Sequence, residues 1–234
     1  MENQPFLYAI GEQAMRLSCR SAVSLTLDFG GPYRVDAWRI GVTKADGHWL
    51  RLPLPEVIDG AQVAVECNPH LFEANGQMFF GYVAGLHRGP GTPIVYRYAM
   101  MPTTDVQEFG PIILGERGFS ACKVGTDFYR VKKTTAGDVL LCNGVVRSLP
   151  MVVHNIYRVV PVFGQADKLL LTVEADGADR SWLMEGIEAT EVRNAAGNPV
   201  YKCSLLEHDG QRHLAYTVKG PNGARTVVTE ITAL

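Results

Sequence analysis

Two stretches of the chain repeat one pattern: VECNPHLFEANGQMFFGYV at residues 65–83 and VYKCSLLEHDGQRHLAYTV at residues 200–218. In each copy an apolar run ends at a cysteine, and several mostly apolar residues follow. An asparagine or aspartate followed by Gly-Gln then precedes a second apolar run that contains aromatic residues. Because Asn-Gly and Asp-Gly favour tight hairpin turns, each copy predicts two short strands joined by a turn.

The cysteines provide a ruler for this repeat. Apolar runs end at Cys19, Cys67, Cys122 and Cys203, and Val159 of the YRV run divides the longest interval. The 184 residues between Cys19 and Cys203 thus hold four intervals with a mean length of 46 residues. A period of about 40–50 residues is typical of the blades of β-propellers.

Strand signals dominate the rest of the chain. Short runs rich in Val, Tyr, Phe and Thr alternate with clusters of Gly, Pro, Asn and Asp, and only 104–109 and 184–193 could hold a helical turn. The sequence therefore predicts an all-β fold, a five-bladed β-propeller in one domain of residues 1–234. A β-sandwich or jelly roll is the alternative. The predicted blades are 11–58, 59–110, 111–150, 151–195 and 196–234, with residues 5–10 closing the ring as the outer strand of the last blade.

The composition excludes some classes of partner. The 234 residues are 47% hydrophobic, which allows a sizeable core, and carry a formal charge of −2. Without a global positive field we expect no binding to nucleic acid or to anionic membranes. The start of the chain lacks the features of an export signal, and no apolar run approaches the ~20 residues of a membrane span. Five cysteines without a C-x-x-C pair suit a reducing compartment, so we expect a cytoplasmic or virion location.

The segment NPHLFEANGQMFFGYVAG, residues 68–85, resembles the repeat of the arabinanase and xylosidase superfamily of five-bladed propellers. The chain length and the 46-residue period are also similar to those of tachylectin-like lectins. The first resemblance implies glycoside hydrolysis by carboxylates that project from different blades at one end of a central channel. The second implies binding of amino sugars without catalysis.

The residues beside the cysteine marks are candidates for the channel mouth. Only Glu66 is acidic among them, whereas the resemblance to glycosidases implies three acids. Because one carboxylate cannot serve both as general acid and as base or nucleophile, Glu66 is a catalytic candidate without a partner.

Basic residues at the same positions suggest binding of an anionic group, for instance that of a carboxylated sugar. The alternative is that these side chains are simply solvated. Tyr33 and Trp38, beside the Gly30-Gly31-Pro32 turn, are predicted platforms for stacking a sugar, the alternative being packing between blades. The predicted ligand-binding residues are Arg20, Glu66, Asn68, Lys123, Arg158, Lys202, Tyr33 and Trp38.

Together these observations predict a non-catalytic recognition module that binds a carbohydrate or a protein partner on one face. We expect no cofactor and no metal, because the six histidines are scattered among the repeats and the cysteines suit core positions. Two alternatives stay open: a glycoside hydrolase similar to arabinanases and xylosidases, and a structural component of a phage or virus particle.

Overall fold

The fold was determined as a computed structural model of the whole chain. Side chains are described from Trp38 onward and, in the last three strands, at some positions only. The structure describes residues 4–10, 13–28, 32–43, 48–118, 120–162, 165, 167–175, 177–201, 203–208, 211–220 and 223–231.

The described residues form β-strands and no helix, which confirms the all-β class. The largest sheet consists of two halves that meet at a single parallel pair, Trp38 with Val65, while the other neighbouring strands pair antiparallel. The first half contains β1 (Gln4–Ile10), β2 (Gln13–Asp28), β3 (Pro32–Thr43) and β4 (Trp49–Arg51). The second half contains β5 (Val57–Ile58), β6 (Ala61–Ala74), β7 (Gln77–His87), β8 (Val95–Pro102) and β9 (Ile113–Arg117).

Three smaller antiparallel sheets follow along the chain, each with its strands in sequence order. We call the two halves of the large sheet and these three sheets the five strand groups. The third strand group is β10 (Ala121–Val124), β11 (Asp127–Thr134), β12 (Gly137–Cys142) and β13 (Val145–Arg147). The fourth is β14 (Asn155–Pro161), β15 (Lys168–Ala175), β16 (Ala178–Glu185) and β17 (Glu188–Glu191). The fifth is β18 (Ser204–His208), β19 (Gln211–Gly220) and β20 (Gly223–Ile231).

The repeated stretches form the strand pairs that the sequence predicts. Residues 65–83 lie in the hairpin β6–β7, and Asn75 and Gly76 at its turn have φ values of 54° and 71°. A two-residue turn with both central φ values positive matches the right-handed twist of the strands, and this is why Asn-Gly is favoured there. The second copy forms the hairpin β18–β19.

We count β6 as the first strand of the second group, because β5 has only two residues. The first strands of the groups then contact one another: β6, β10 and β14 are mutually in contact, and β1 contacts β18. Cys67, Cys122 and Val159 lie on β6, β10 and β14, and Cys203 directly precedes β18, so four of the five marks locate first strands. Cys19 instead lies on β2.

The placement of residues 5–10 differs from the sequence prediction. They lie in β1, which pairs with β2 over seven residue pairs in the first strand group, whereas we expected them at the outside of the last group. Only residues 11 and 12 separate β1 from β2 in the sequence. A link of two residues strongly favours a hairpin, because pairing with a distant strand would require closing a much longer loop.

One buried cluster connects the first, second, fourth and fifth strand groups. It includes Ile40 on β3, Phe80 on β7, Leu170 on β15 and Leu214 on β19. Burying a large apolar side chain stabilises a fold by roughly 1.5–3 kcal/mol, so this cluster couples the sheets energetically. Among the described residues no helix has the length and apolar character needed to cross a membrane.

Candidate functional site

Glu66 lies at the junction of the two halves of the large sheet and has no exposed surface. Its Oε2 accepts a hydrogen bond from the backbone N–H of Ile40 at 2.9 Å. Its Oε1 lies 3.6 Å from Nε of Arg39 and 3.4 Å from Nη2 of Arg51. The carboxylate therefore ties β6 to strands β3 and β4 of the first half.

Arg39 completes this junction from β3. Its guanidinium donates to the backbone carbonyls of Val63 and Ala64 on β6, both at 2.9 Å. Burial raises the pKa of Glu66, with the Ile40 N–H and the two arginines opposing that rise. A raised pKa suits a general acid, but a carboxyl group without exposed surface cannot reach a substrate. The geometry thus supports a structural role for Glu66 and does not support the catalytic role suggested by the sequence.

Asn68 joins three strand groups through its side chain. It adopts a φ of 55° at a register shift of β6, and its Nδ2 donates to the carbonyls of Ala121 on β10 at 2.7 Å and of Val159 on β14 at 2.9 Å. Asparagine is among the residues that tolerate this backbone region best. Because both amide protons are used within the protein, Asn68 is held as a structural bridge.

His70 follows on the same strand and is also buried. Its Nδ1 lies 3.0 Å from the carbonyl of Asn68, so Nδ1 carries the proton. Its Nε2 then accepts from the Tyr98 hydroxyl at 2.9 Å and from the Lys123 backbone N–H at 3.3 Å. Burial lowers the pKa of His70 to about 4, so the ring is neutral at physiological pH. A Cβ at Gly81 would collide with the His70 ring and the Tyr98 hydroxyl.

The four predicted cations have different environments. Arg158 is buried on β14, close enough to Cys203 to favour its thiolate, although burial raises the pKa of that thiol to about 11. Lys123 is half-buried on β10. Arg20 lies on β2 opposite Arg39, but its side chain is outside the described part, as is the whole of Lys202. Their convergence on an anionic ligand stays a prediction.

The predicted aromatic platforms lie in a strand and not in a turn. Tyr33 and Trp38 both belong to β3, where Tyr33 pairs with Leu27 and its side chain is outside the described part. Trp38 is half-buried and packs against the buried cluster and against Ala64 and Val65 of β6. The environment of Trp38 therefore matches the packing alternative.

A shallow pocket with a volume of about 340 Å³ lies where β7 begins and β8 ends. We call it the 102–110 pocket, because most of its lining belongs to the loop that follows β8. The lining residues are Gln77, Pro102, Thr103, Thr104, Glu108, Phe109 and Gly110.

The loop behind this pocket is held by its own hydrogen bonds. Thr103 forms a β-bridge with Phe109, and its Oγ1 donates to the Glu108 carbonyl at 2.8 Å and accepts from the Val106 N–H at 3.0 Å. Asp105 Oδ1 accepts from the N–H groups of Gln107 and Glu108 at 2.9 and 3.1 Å, and these bonds lower the pKa of Asp105. The loop is therefore ordered before any ligand arrives.

Val106 is the strained residue of this loop. Its φ is 60°, a region that β-branched residues rarely adopt, and its side chain is 1% exposed and belongs to the buried cluster. Such strain costs roughly 1–3 kcal/mol and persists where the surrounding structure compensates for it. Backbone strain of this kind clusters at binding sites, so Val106 marks the loop as a candidate site.

The lining of the 102–110 pocket combines an aromatic ring with polar groups. Phe109 is half-buried and packs against Phe80 with a ring-centroid distance of 5.4 Å. Gln77, Thr104 and Glu108 are exposed and offer an amide, a hydroxyl and a carboxylate. An apolar surface with a few convergent polar groups is typical of small-molecule sites. Sequence reasoning missed this site because residues 104–109 suggested a helical turn, although Thr103 and Asp105 are residues that favour hydrogen-bonded turns.

A metal site is not evident in the part of the chain that the structure describes, where no group of three or more His, Cys, Asp or Glu side chains comes together.

Comparison with known proteins supports the propeller class. No family model matches the chain, and no curated protein matches it by sequence. An exo-1,5-α-L-arabinanase from a bovine ruminal metagenomic library matches with a TM-score of 0.55 and 9% identity over 98% of this chain and 92% of the other. Residues 68–85 of this chain resemble the repeat of the arabinanase superfamily. At this identity the likeness shows a shared fold and assigns no chemistry to this chain.

Two further structures match with lower scores. A Trypanosoma rangeli sialidase in complex with the inhibitor DANA has a TM-score of 0.42 and 10% identity, over 96% of this chain and 40% of the other. A GH43_1 enzyme from Xanthomonas citri complexed with xylotriose has a TM-score of 0.36 and 10% identity, over 97% and 69% of the two chains.

Proposed function

We propose that the protein is a five-bladed β-propeller that binds a carbohydrate, without hydrolysing it, at the 102–110 pocket. Five strand groups follow one another along the chain, and their first strands contact one another, which supports the five-bladed arrangement. The arabinanase with the same fold supports it further.

The observation that carries the binding proposal is the preordered loop with its aromatic and polar lining. A volume of about 340 Å³ suits a ligand of one or two sugar rings. Phe109 offers a ring for the apolar face of a sugar, and Gln77, Thr104 and Glu108 offer partners for its hydroxyl groups. Because the loop is already hydrogen-bonded, binding costs little ordering entropy.

Two of the carboxyl groups do not suit the role of general acid. Glu66 has the raised pKa that a general acid needs but no exposed surface. Glu174 accepts hydrogen bonds from Asn155 and Tyr157, and these lower its pKa, which is the opposite of what a general acid requires.

A glycan array tests the proposal, followed by titration of the best ligand into variants. We expect wild-type protein to bind a neutral oligosaccharide, and Phe109→Ala to weaken that binding at least about tenfold, because the largest apolar contact is removed. Tyr157→Ala, which removes a partly exposed aromatic ring from β14, is the matched control and should leave affinity unchanged. An array without a ligand would overturn carbohydrate binding, and a ligand insensitive to Phe109→Ala would exclude this pocket.

A glycoside hydrolase is the second candidate, favoured by one pair of carboxylates. Glu174 on β15 and Asp179 on β16 are directly opposite each other, which places their Cβ atoms about 4.5–5.5 Å apart. Retaining glycosidases hold two carboxyl groups about 5 Å apart, a separation that side chains with this Cβ spacing are able to adopt. Activity on chromogenic arabinosides or xylosides that is lost in Glu174→Gln would favour this candidate. The third alternative, a structural component of a virus particle, stays a prediction.

A further inference from the structure

Two arginines contact one carboxylate in the second half of the large sheet, and a third arginine lies opposite one of them on the neighbouring strand. Arg88 follows β7, Arg97 lies on β8 and Arg117 ends β9, while Asp59 lies in the turn between β5 and β6. Arg97 and Arg117 are directly opposite each other in the antiparallel pair β8–β9. Like charges in this position repel, so the pair costs stability unless a negative group lies between them.

Arg97 is held in place and still has donor capacity. Its Nε and Nη2 donate to the carbonyl of Gly115 at 3.3 and 3.0 Å, at the register shift between β8 and β9. Among the described residues, its Nη1 has one long ionic contact, 3.9 Å from Oδ2 of Asp59. A guanidinium fixed at one edge with its other edge loosely engaged can donate to an incoming oxyanion without losing much rotamer freedom.

Arg88 is presented by an ordered loop. The His87 ring accepts from the Gly89 N–H at 3.3 Å and lies 3.3 Å from the Thr92 hydroxyl, which itself donates to the Gly89 carbonyl at 2.6 Å. Arg88 reaches Oδ2 of Asp59 at 3.1 Å, and both side chains are 58% exposed. Asp59 thus contacts two of the three arginines with one oxygen.

The carboxylate that neighbours Arg117 in the sequence is engaged elsewhere. Glu116 is adjacent to Arg117 in β9, so its side chain points to the other face of the strand. There its Oε2 lies 3.2 Å from Nε of Arg130 on β11. Among the described side chains, Arg88 and Arg97 thus share the single carboxylate of Asp59, and Arg117 adds a third positive charge opposite Arg97.

We infer that Arg88, Arg97 and Arg117 form a binding site for an oxyanion, a carboxylate, sulfate or phosphate group, and that Asp59 partly occupies it as an internal competitor. The ligand is either a free small anion or an acidic group carried by a glycan, since both present the same oxygens to the guanidinium groups. The site is separate from the 102–110 pocket and does not depend on the proposed function.

The test titrates sulfate, phosphate, citrate and an oligogalacturonate separately into the full chain by isothermal titration calorimetry at low ionic strength. Three variants are compared with wild type: Arg117→Gln, Asp59→Asn and, as matched control, Lys132→Gln, which removes one exposed positive charge from β11. Asparagine suits the φ of 50° at position 59.

We expect at least one anion to bind, Arg117→Gln to weaken it about tenfold, and Asp59→Asn to tighten it about threefold or more. Lys132→Gln should change the affinity less than twofold, because Lys132 is an exposed side chain of β11 and not one of the three proposed ligands. Binding of oligogalacturonate alone identifies a glycan-borne group, and binding of the small anions identifies the free form.

The inference is overturned if none of the four anions binds at a concentration of about 10 mM. That concentration is on the order of a hundred times a dissociation constant of about 0.1 mM. Equal weakening by Arg117→Gln and Lys132→Gln, or weaker binding in Asp59→Asn, also overturns it. Because the neutral glycan of the 102–110 pocket is titrated separately, failure here leaves the proposed function standing, and the reverse also holds.

Discussion

Acid should destabilise this protein through His70, and the size of the effect follows from its surroundings. Burial lowers the pKa of His70 to about 4 from 6.5. Above pH 6.5 the ring is neutral in both the folded and the unfolded chain. Between pH 6.5 and 4 the unfolded chain binds a proton that the folded protein excludes, so stability falls as the pH is lowered. The pKa difference corresponds to about 3 kcal/mol, lost across that window.

The perturbation that isolates this contribution is His70→Gln. Glutamine does not titrate but keeps an acceptor for the Tyr98 hydroxyl and the Lys123 N–H. Urea unfolding followed by tryptophan fluorescence at pH 7.5, 5.5 and 4 gives the free energy of unfolding of each protein. We expect the variant to be less stable at pH 7.5, yet to lose about 3 kcal/mol less than wild type between pH 7.5 and 4.

A matched control is His154→Gln, since the side chain of His154 is exposed. It is measured at the same three pH values and shows what replacing an exposed histidine by glutamine does on its own. If the stability of His70→Gln changes from pH 7.5 to 4 as that of wild type does, the assignment of a neutral, buried His70 in the folded state is refuted.

Three substitutions probe the contacts that join the strand groups, each measured by urea unfolding at pH 7.5. Glu66→Gln should destabilise by about 3–5 kcal/mol because it leaves the charge of Arg39 buried without its counterion, and a loss below 1 kcal/mol would contradict the ion pair. Asn68→Ala should lower the free energy of unfolding by about 2–4 kcal/mol, because two buried carbonyls on β10 and β14 lose their donor. Asn68→Asp should not recover that stability, because a carboxylate has no N–H to donate. Gly81→Ala should cost about 1–3 kcal/mol through collision with the His70 ring, and unchanged stability would show that this contact is looser than described.

Much of the strand order was accessible from the sequence because turn residues and periodic cysteines report local geometry. Asn75-Gly76 predicted the hairpin of β6 and β7, and Cys67 and Cys122 located first strands. The cysteine spacing did not locate the first strand of the first group. Cys19 lies on β2, because β1 precedes β2 across a link of only two residues. A spacing rule cannot show which strand of a group carries the mark.

The candidate site was less accessible, because partners that are distant in the sequence decide it. The sequence around Glu66 does not indicate that Arg39 of β3 pairs with it. An exposed glutamate at the same position would suit catalysis. Likewise, Asn68 became a predicted ligand-binding residue, yet both of its donors are used on β10 and β14. The 102–110 pocket depends on the positive φ of Val106, for which valine itself gives no sequence signal.

The central claim, carbohydrate binding without hydrolysis at the 102–110 pocket, is tested most directly by one titration. The best neutral glycan from an array is titrated into wild type and Phe109→Ala, and the recovered glycan is then analysed for cleavage. The account predicts saturable binding by wild type, binding about tenfold weaker or more in the variant, and intact glycan after prolonged incubation. Cleaved glycan, or equal affinity of both proteins, would contradict it.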